Sequence, residues 1–199
     1  MKRSTLLPRT SSFIPSSSRI QSTATLSLLS SVDQITPSLY LSNANVARHR
    51  GLLSAKRITC VINATLDVQR PSWPGVDYLR VPVADLPHAQ LSDYFDRVAD
   101  RIRQVERRNG RTLVHCMAGI SRSATLCMAY LMKYEGVTLK EAHHWVRSRR
   151  PAICPNAGFW RQLITYEHQL FGKNSVKLAD STMDVLPVAA GRYGKNHIP

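Results

Sequence analysis

The feature that most constrains the fold of this chain is a strand-turn-helix pattern. An apolar strand pattern is followed by a short run of mostly small residues and then by a long apolar helix pattern. The run TLVH is rich in β-formers, and SATLCMAYLMKYEG is apolar on most sides before Gly136 stops it. Between the two lies CMAGISR, residues 116–122. A strand that feeds a helix this directly is the unit of an α/β sheet, and a helix that is apolar on most sides has to be buried. We therefore expect Cys116 to end a strand, at the edge of the sheet where ligands bind.

Strand and helix patterns alternate through the rest of the chain as well. The runs ITPSLYLS, TCVINAT and YLRVPVAD are typical of strands, the first a short pair and the last ending at Asp85. Helical spacing, caps and stop signals predict helices over about 43–56 with Ser42 as its cap, 92–108, 138–150 and 156–171. This alternation predicts an α/β fold with a largely parallel central sheet flanked by helices.

The two ends of the chain differ from its middle in composition. Residues 1–30 are rich in Ser and Thr and hold four basic and no acidic residues, so they cannot bury much apolar surface. We expect a disordered tail there, with a mitochondrial presequence as the alternative, one folded domain over 31–171 and an extension over 172–199. No run approaches the roughly 18 apolar residues that span a bilayer, and we see no secretory signal. We therefore expect a soluble protein of the cytoplasm, with the nucleus as a second compartment.

The charge of the chain favours acidic partners. Basic residues exceed acidic ones by 14, and the two ends account for six of these charges, so eight remain on residues 31–171. Such an excess favours binding of phosphorylated protein, nucleic acid or anionic membrane, and solvated surface charge is the alternative. The four cysteines form no C-x-x-C pair and lack the spacing of metal ligands, so we expect no metal site.

Residues 117–122 have the composition of a loop that binds an anion. If its successive backbone N–H groups point inward, they form a concave anion site, which the positive end of the following helix dipole reinforces. Gly119 can adopt a backbone conformation that other residues resist. Arg122 offers a planar fork of donors that matches the oxygens of a phosphate. The loop is therefore predicted to cradle a phosphate.

The same field would act on the thiol of Cys116. Beside a helix N-terminus and a cation, the pKa of a thiol can fall from about 8.5 to roughly 3.5–7.5, which makes it a thiolate at neutral pH. Cys116 is therefore predicted to be a nucleophile that faces the anion site. The alternative, a small buried hydrophobe, is our interpretation of Cys60 and Cys127, which lie in apolar runs.

The run HCMAGISRS, residues 115–123, resembles the HCxxGxxRS signature of the cysteine-based protein tyrosine phosphatases, specifically their small, atypical dual-specificity branch. The resemblance extends from about residue 34 to 178 through INAT, VPVAD, YFDRVAD, RSRRP, PNAGFW and QLFGK. It implies the fold of that family, with 31–171 as the catalytic domain. It also implies hydrolysis of phosphotyrosine and of phosphoserine or phosphothreonine in proteins, without a cofactor or metal.

The resemblance implies a nucleophile, a phosphate site and an acid. Cys116 would attack phosphorus while the phosphate-binding loop holds the transferring group; that loop comprises Met117, Ala118, Gly119, Ile120, Ser121 and Arg122. Asp85, 31 residues before Cys116, would protonate the leaving oxygen. A loop or cap residue is the alternative for Asp85. Asp93 and Asp96 are alternative acids, although the dipole of the predicted helix explains them.

Three further residues have supporting roles by the same resemblance. Ser123 would stabilise the departing thiolate in the second step, although a hydrogen bond at the helix start also explains it. His115 would orient the loop and tune the thiol, and a structural histidine is the alternative. Asn156 would brace the loop, and helix capping explains it equally well. Cys154 stands where relatives lead us to expect a basic residue, which leaves affinity for doubly phosphorylated substrates open.

The expected substrates are phosphorylated proteins, including members of MAP kinase pathways. Members that act on phosphoinositides tend to carry lysines in the loop, and MAGIS has none. No aromatic stacking pattern accompanies the basic charge, so a nucleic-acid partner is not expected. A phosphatase of non-protein phosphates and a non-catalytic module that binds phosphoproteins remain the alternatives.

Overall fold

The computed structural model describes residues 31–66, 72–178 and 185–187. The predictions for residues 1–30 lie outside the described residues, as do those for most of the C-terminal extension. The strands are β1 (Asp33–Gln34), β2 (Leu39–Asn43), β3 (Cys60–Asn63), β4 (Asp77–Arg80), β5 (Thr112–Cys116), β6 (Val176–Leu178) and β7 (Val185–Pro187). The helices are α1 (Ala44–Ala47), α2 (Arg50–Ala55), α3 (Phe95–Arg107), α4 (Arg122–Glu135), α5 (Leu139–Arg149) and α6 (Ala157–Phe171), with a 3₁₀ turn at Ser92–Tyr94.

The main sheet has five strands in the order β1-β2-β5-β3-β4. Strand β5 lies at its centre, parallel to β2 on one side and to β3 on the other, and β4 extends the parallel part. Only the short edge strand β1 runs antiparallel among these described strands. The predicted α/β fold with a largely parallel sheet flanked by helices is therefore confirmed. A separate two-stranded sheet joins β6 to β7.

Helix α4 is the most buried helix of the domain. Its residues from Arg122 to Met132 are all buried, and it packs against α3, α5 and α6. The predicted stop at Gly136 is confirmed, since this residue caps the helix in the left-handed conformation with φ 66°. Because α4 follows β5 directly, the core fixes both ends of the segment that joins them.

Two predicted boundaries are wrong. The helix expected over 43–56 is broken into α1 and α2, and its cap is Asn43, whose side chain accepts from the Val46 amide at 2.9 Å, not Ser42. The strand expected to end at Asp85 ends at Arg80, because the Val83 amide donates to the Val81 carbonyl at 2.9 Å instead of continuing the ladder to β3. Asp85 therefore lies in a loop beyond the sheet edge.

Glu167 ties the chain after α6 to the domain. This fully buried residue accepts hydrogen bonds from the Leu139 amide at 2.7 Å and from the Ser175 amide at 2.9 Å. Val176 in β6 is buried in the main core. Across the described part of the chain, no helix combines the length and apolar character needed to cross a membrane.

Candidate active site

Strand β5 delivers Cys116 to the carboxyl edge of the sheet, where the predicted phosphate-binding loop begins. The loop turns at Gly119, whose φ of 71° lies in the left-handed region. A Cβ on this residue would come within 2.5 Å of the Ser42 carbonyl oxygen, so glycine is required both for conformation and for space. The amide of Gly119 donates to the sulfur of Cys116 at 3.2 Å. The loop thus curls around the thiol, as the anion-site prediction requires.

The carbonyl groups of the loop are bound from outside. The Met117 carbonyl accepts from the Ala44 amide at 3.1 Å, and the Ile120 carbonyl accepts from the Cys154 amide at 3.0 Å. The carbonyls of the two residues between them accept from the guanidinium of Arg150. Since carbonyl and N–H of a trans peptide point in opposite directions, this arrangement turns loop amides towards the sulfur.

The pKa of Cys116 is lowered although its side chain is buried. Burial acts to raise this pKa, but hydrogen bonds from the hydroxyl and amide of Ser123 and from the Ile120 amide, together with the charge of Arg122, outweigh it. The Ser123 hydroxyl lies 3.2 Å from the sulfur. Burial raises the pKa of Cys60 and of Cys127, as expected for thiols in apolar surroundings. Cys116 therefore has the electrostatics of a nucleophile.

Arg122 begins α4 and lies beneath the loop with its side chain largely buried. Its Nη1 donates to the Val83 carbonyl at 3.1 Å, which fixes the guanidinium against the loop that follows β4. Its buried Nε makes no hydrogen bond within the described part of the chain, and Asp85 Oδ2 lies 3.5 Å from it. A donor in this position is available to an oxyanion held by the loop amides.

Asp85 is held over the same loop from two sides. Its Oδ1 accepts from the Ser121 hydroxyl at 2.7 Å and from the Asn156 side-chain amide at 3.0 Å. Its side chain keeps 35% of its surface exposed, so a substrate can reach it. The structure thus brings together Cys116, Arg122 and Asp85, which lie up to 37 positions apart in the sequence.

The remaining predicted residues also lie at this site. His115 is buried, and its Nδ1 lies 3.4 Å from the Cys116 carbonyl oxygen. Asn156 caps α6, since its side-chain oxygen accepts from the Phe159 amide at 3.0 Å, while its NH₂ group contacts Asp85 and not the phosphate-binding loop. The capping interpretation of Asn156 is therefore confirmed, whereas the hydrogen bond expected to brace the phosphate-binding loop is made to Asp85 instead. The alternative acid Asp96 instead binds Lys133 and Tyr166.

Two residues of the site, Arg150 and Gly158, were assigned no role from the sequence. Arg150 follows α5, in the quoted run RSRRP, and binds two loop carbonyls. Gly158 lies in the first turn of α6, in PNAGFW, where a Cβ would come within 1.7 Å of the Pro87 carbonyl oxygen. The motifs RSRRP and PNAGFW were the sequence signals that could have identified these residues. Sequence alone does not show which arginine of the first motif binds the loop or that the glycine of the second lies against Pro87. Within residues 31–66 and 72–178, no three His, Cys, Asp or Glu side chains group as metal ligands.

Known proteins share this fold and sequence. The family model described as "Dual specificity phosphatase, catalytic domain" matches residues 39–169. Human dual specificity protein phosphatase 14 is 52% identical over 168 residues, which cover 84% of this chain and 85% of that protein. Human dual specificity protein phosphatase 18 is 51% identical over 159 residues, covering 80% and 85%.

Solved structures agree with these sequence matches. A mouse putative dual specificity phosphatase, crystallised with zinc tungstate, superposes with a TM-score of 0.68 at 38% identity, covering 71% of this chain and 89% of that one. Human DUSP28 superposes with a TM-score of 0.67 at 37% identity, covering 70% and 94%. The fold and these matches together define a protein phosphatase.

The chain belongs to the dual-specificity phosphatase family. The matches to phosphatases 14 and 18 confirm the resemblance to the small, atypical branch. Its activity is accordingly that of a protein tyrosine/serine/threonine phosphatase, a phosphoric monoester hydrolase.

Proposed function

We propose that this enzyme hydrolyses phosphotyrosine, phosphoserine and phosphothreonine in proteins through a cysteinyl-phosphate intermediate on Cys116. Arg122 and the phosphate-binding loop bind the phosphoryl group, Asp85 is the general acid, and Ser123 assists the departing thiolate. The observation that supports this most is the set of donors around the Cys116 sulfur, which lowers its pKa despite burial. A thiolate, and not a thiol, is the nucleophile that such a reaction requires.

In the first step, the thiolate of Cys116 attacks phosphorus in line with the leaving oxygen. The S–P bond forms as the P–O bond to the substrate breaks, and protonated Asp85 gives its proton to that oxygen. Loop amides and the guanidinium of Arg122 stabilise the negative charge on the transferring group. Proton transfer by a positioned acid contributes about 100- to 10,000-fold in rate.

In the second step, water attacks the phosphocysteine. The carboxylate of Asp85 accepts a proton from this water, a P–O bond forms, and the S–P bond breaks to release inorganic phosphate and the Cys116 thiolate. The Ser123 hydroxyl, 3.2 Å from the sulfur, stabilises the charge that returns to it. The same aspartate thus acts as acid and then as base, and the enzyme returns to its starting state.

The proposed substrates are phosphorylated proteins of MAP kinase pathways. The enzyme would act on them in the cytoplasm and also in the nucleus. Residues 117–121 contain no lysine that would meet the extra phosphates of a phosphoinositide. Leu86 and Met117, which adjoin Asp85 and Cys116, are exposed large apolar side chains, and 58% of the Met117 surface is accessible. Such a rim suits the ring of phosphotyrosine and the side chains that flank a phosphorylated residue.

The experiment that tests this proposal compares wild type, Cys116→Ser and Asp85→Ala on phosphotyrosyl and phosphothreonyl peptides. We expect no turnover for Cys116→Ser and a loss in kcat of about 100- to 10,000-fold for Asp85→Ala. Phosphate release measures the rates. The matched controls are Cys154→Ser and Asp93→Ala, whose side chains are exposed, and these should keep wild-type rates.

Three results would contradict the proposal. Turnover by Cys116→Ser at the wild-type rate would exclude Cys116 as the nucleophile. Release of phosphate from phosphoinositides or triphosphate-ended RNA, with none from phosphopeptides, would reassign the substrate class. Capture of phosphopeptides by the wild-type protein without turnover would favour the binding-module alternative.

A further inference from the structure

Arg150 is a buried cation that reaches the phosphate-binding loop from behind. The residue is 1% exposed, and it is the first residue after α5. Its Nε donates to the Gly119 carbonyl at 2.7 Å, and its Nη2 donates to the Ala118 carbonyl at 3.2 Å. A buried charge is costly to the fold unless other groups pair with it. Its burial therefore requires partners, which the two loop carbonyls and Asp33 supply.

Asp33 neutralises this arginine and fixes its orientation. The Nη1 atom donates to Asp33 Oδ2 at 2.6 Å and to the Ser31 hydroxyl at 3.0 Å. The Ser31 hydroxyl in turn donates to the same carboxylate oxygen at 2.8 Å. Asp33 lies in β1, the edge strand of the main sheet. The guanidinium thus links the N-terminal strand to the phosphate-binding loop.

The two carbonyls that Arg150 binds belong to the peptide groups whose amides face the sulfur. The Ala118 carbonyl shares a peptide plane with the Gly119 amide, and the Gly119 carbonyl shares one with the Ile120 amide. In a trans peptide, the N–H points away from the C=O. The Gly119 amide lies 3.2 Å from the Cys116 sulfur, and the Ile120 amide helps to lower the pKa of that thiol.

We propose that Arg150 is a positioning residue of the phosphatase reaction. Its guanidinium, held by Asp33, fixes two peptide planes of the loop so that their amides meet the Cys116 thiolate and the phosphoryl group bound there. This inference rests on the function proposed above for Cys116. Lysine would not serve, because a single ammonium cannot present parallel donors to two carbonyls and a carboxylate in one plane.

The packing around Gly119 supports this assignment. A Cβ there would lie 2.5 Å from the Ser42 carbonyl oxygen and 2.9 Å from Nη2 of Arg150. The loop is therefore held between β2 on one side and the guanidinium on the other. Without the guanidinium, the two peptide planes can rotate, and their amides then point away from the Cys116 sulfur.

The test uses the full chain with the substitutions Arg150→Lys, Arg150→Met and Asp33→Asn. Arg149→Met is the matched control, because Arg149 is the neighbouring arginine and is exposed. We expect kcat/KM on a phosphotyrosyl peptide to fall by about 10- to 100-fold for both Arg150 variants, less than the roughly 100- to 1,000-fold that loss of an oxyanion donor costs. Asp33→Asn should show a smaller loss in the same direction.

Two further readouts separate positioning from general stability. The rate of Cys116 alkylation by iodoacetamide should reach its midpoint at a higher pH, because fewer donors stabilise the thiolate. Inorganic phosphate should inhibit these variants more weakly than it inhibits wild type. Arg149→Met should match wild type in both. Circular dichroism of each variant establishes that it is folded.

The proposal is overturned if folded Arg150 variants keep the wild-type alkylation midpoint and phosphate inhibition, even where their melting temperature falls. Should Arg150→Met not fold, Arg150→Lys and Asp33→Asn decide the matter by the same two readouts. The alkylation measurement requires no turnover. It therefore tests the role of Arg150 separately from the proposed substrates and acid, which the Cys116 and Asp85 variants test.

Discussion

At the scale of single residues, donors and not burial distinguish the reactive thiol. Cys116 and Cys127 are both buried, the first at the end of β5 and the second within α4. Burial raises the pKa of Cys127, whereas the hydroxyl and amide of Ser123 and further donors outweigh burial at Cys116. Ser123, in the first turn of α4, therefore contributes to the chemistry as well as to the fold.

Ser123→Ala should raise the pKa of Cys116. The thiolate is the reactive form and exists above this pKa, so a higher pKa removes activity at low pH first. We expect the acidic limb of the kcat/KM profile to move to higher pH, and phosphocysteine to hydrolyse more slowly. The profile measured on a phosphotyrosyl peptide checks this, with the exposed Ser148→Ala as control. An acidic limb that stays in place would contradict the assigned role of Ser123.

The residues of the strand-turn-helix unit were accessible to sequence reasoning, whereas the contacts of Arg150 were not. Cys116, Gly119 and Arg122 stand at fixed spacing within one strand-turn-helix unit, so local pattern identifies them. Arg150 depends on a carboxylate 117 positions away and on two carbonyl groups, and neither leaves a pattern in the sequence. Tertiary packing alone decides which arginine of RSRRP is buried.

At the scale of elements, the start of α6 sets the position of the acid loop. Asn156 caps this helix and also donates to Asp85, so that one residue links the helix end to the carboxylate. Two residues further on, Gly158 packs against the backbone of Pro87. The loop that carries Asp85 therefore rests on the first turn of α6, and the absence of a side chain at Gly158 permits this approach.

Gly158→Ala should displace the acid loop, because its Cβ would come within 1.7 Å of the Pro87 carbonyl oxygen. A poor leaving group needs protonation more than a good one, so kcat should fall more on a phosphothreonyl peptide than on p-nitrophenyl phosphate. Gly51→Ala is the control, since a Cβ there meets nothing within 4 Å. Equal kcat values for Gly158→Ala and wild type on both substrates would show that the contact does not position Asp85.

Element boundaries were predictable where a local signal fixes them. The capping box of Thr138 and Glu141 starts α5, and Gly172 ends α6 in the left-handed conformation, both as the sequence indicates. The prediction of a single helix over 43–56 was wrong, because the apolar spacing of these residues gave no sign of the break between α1 and α2. The predicted end of β4 was wrong because the apolar run continues past Pro82, whereas the hydrogen bonds between β4 and β3 stop there.

At the scale of the whole molecule, the parallel sheet gathers distant segments at one edge. Strand β5 supplies the thiol, the loop after β4 supplies the acid, and the turn between α5 and α6 supplies Arg150 and Asn156. The alternation of strands and helices predicted the parallel sheet, but the order β1-β2-β5-β3-β4 has no local signal in the sequence. The loop after β5 lies between the end of β2 and the turn that carries Arg150, and both of these elements contact Gly119.

The central claim is that phosphate is transferred through Cys116, and isolation of the intermediate tests it most directly. The Ser123→Ala variant is used, because hydrolysis of the phosphocysteine intermediate should be slow in it. The variant is mixed with a phosphotyrosyl peptide and quenched in acid during turnover, and the digested protein is mapped by mass spectrometry. The mechanism predicts a phosphoryl group on the peptide that contains Cys116. A phosphoryl group on another residue, or turnover without a covalent intermediate at any quench time, would contradict it.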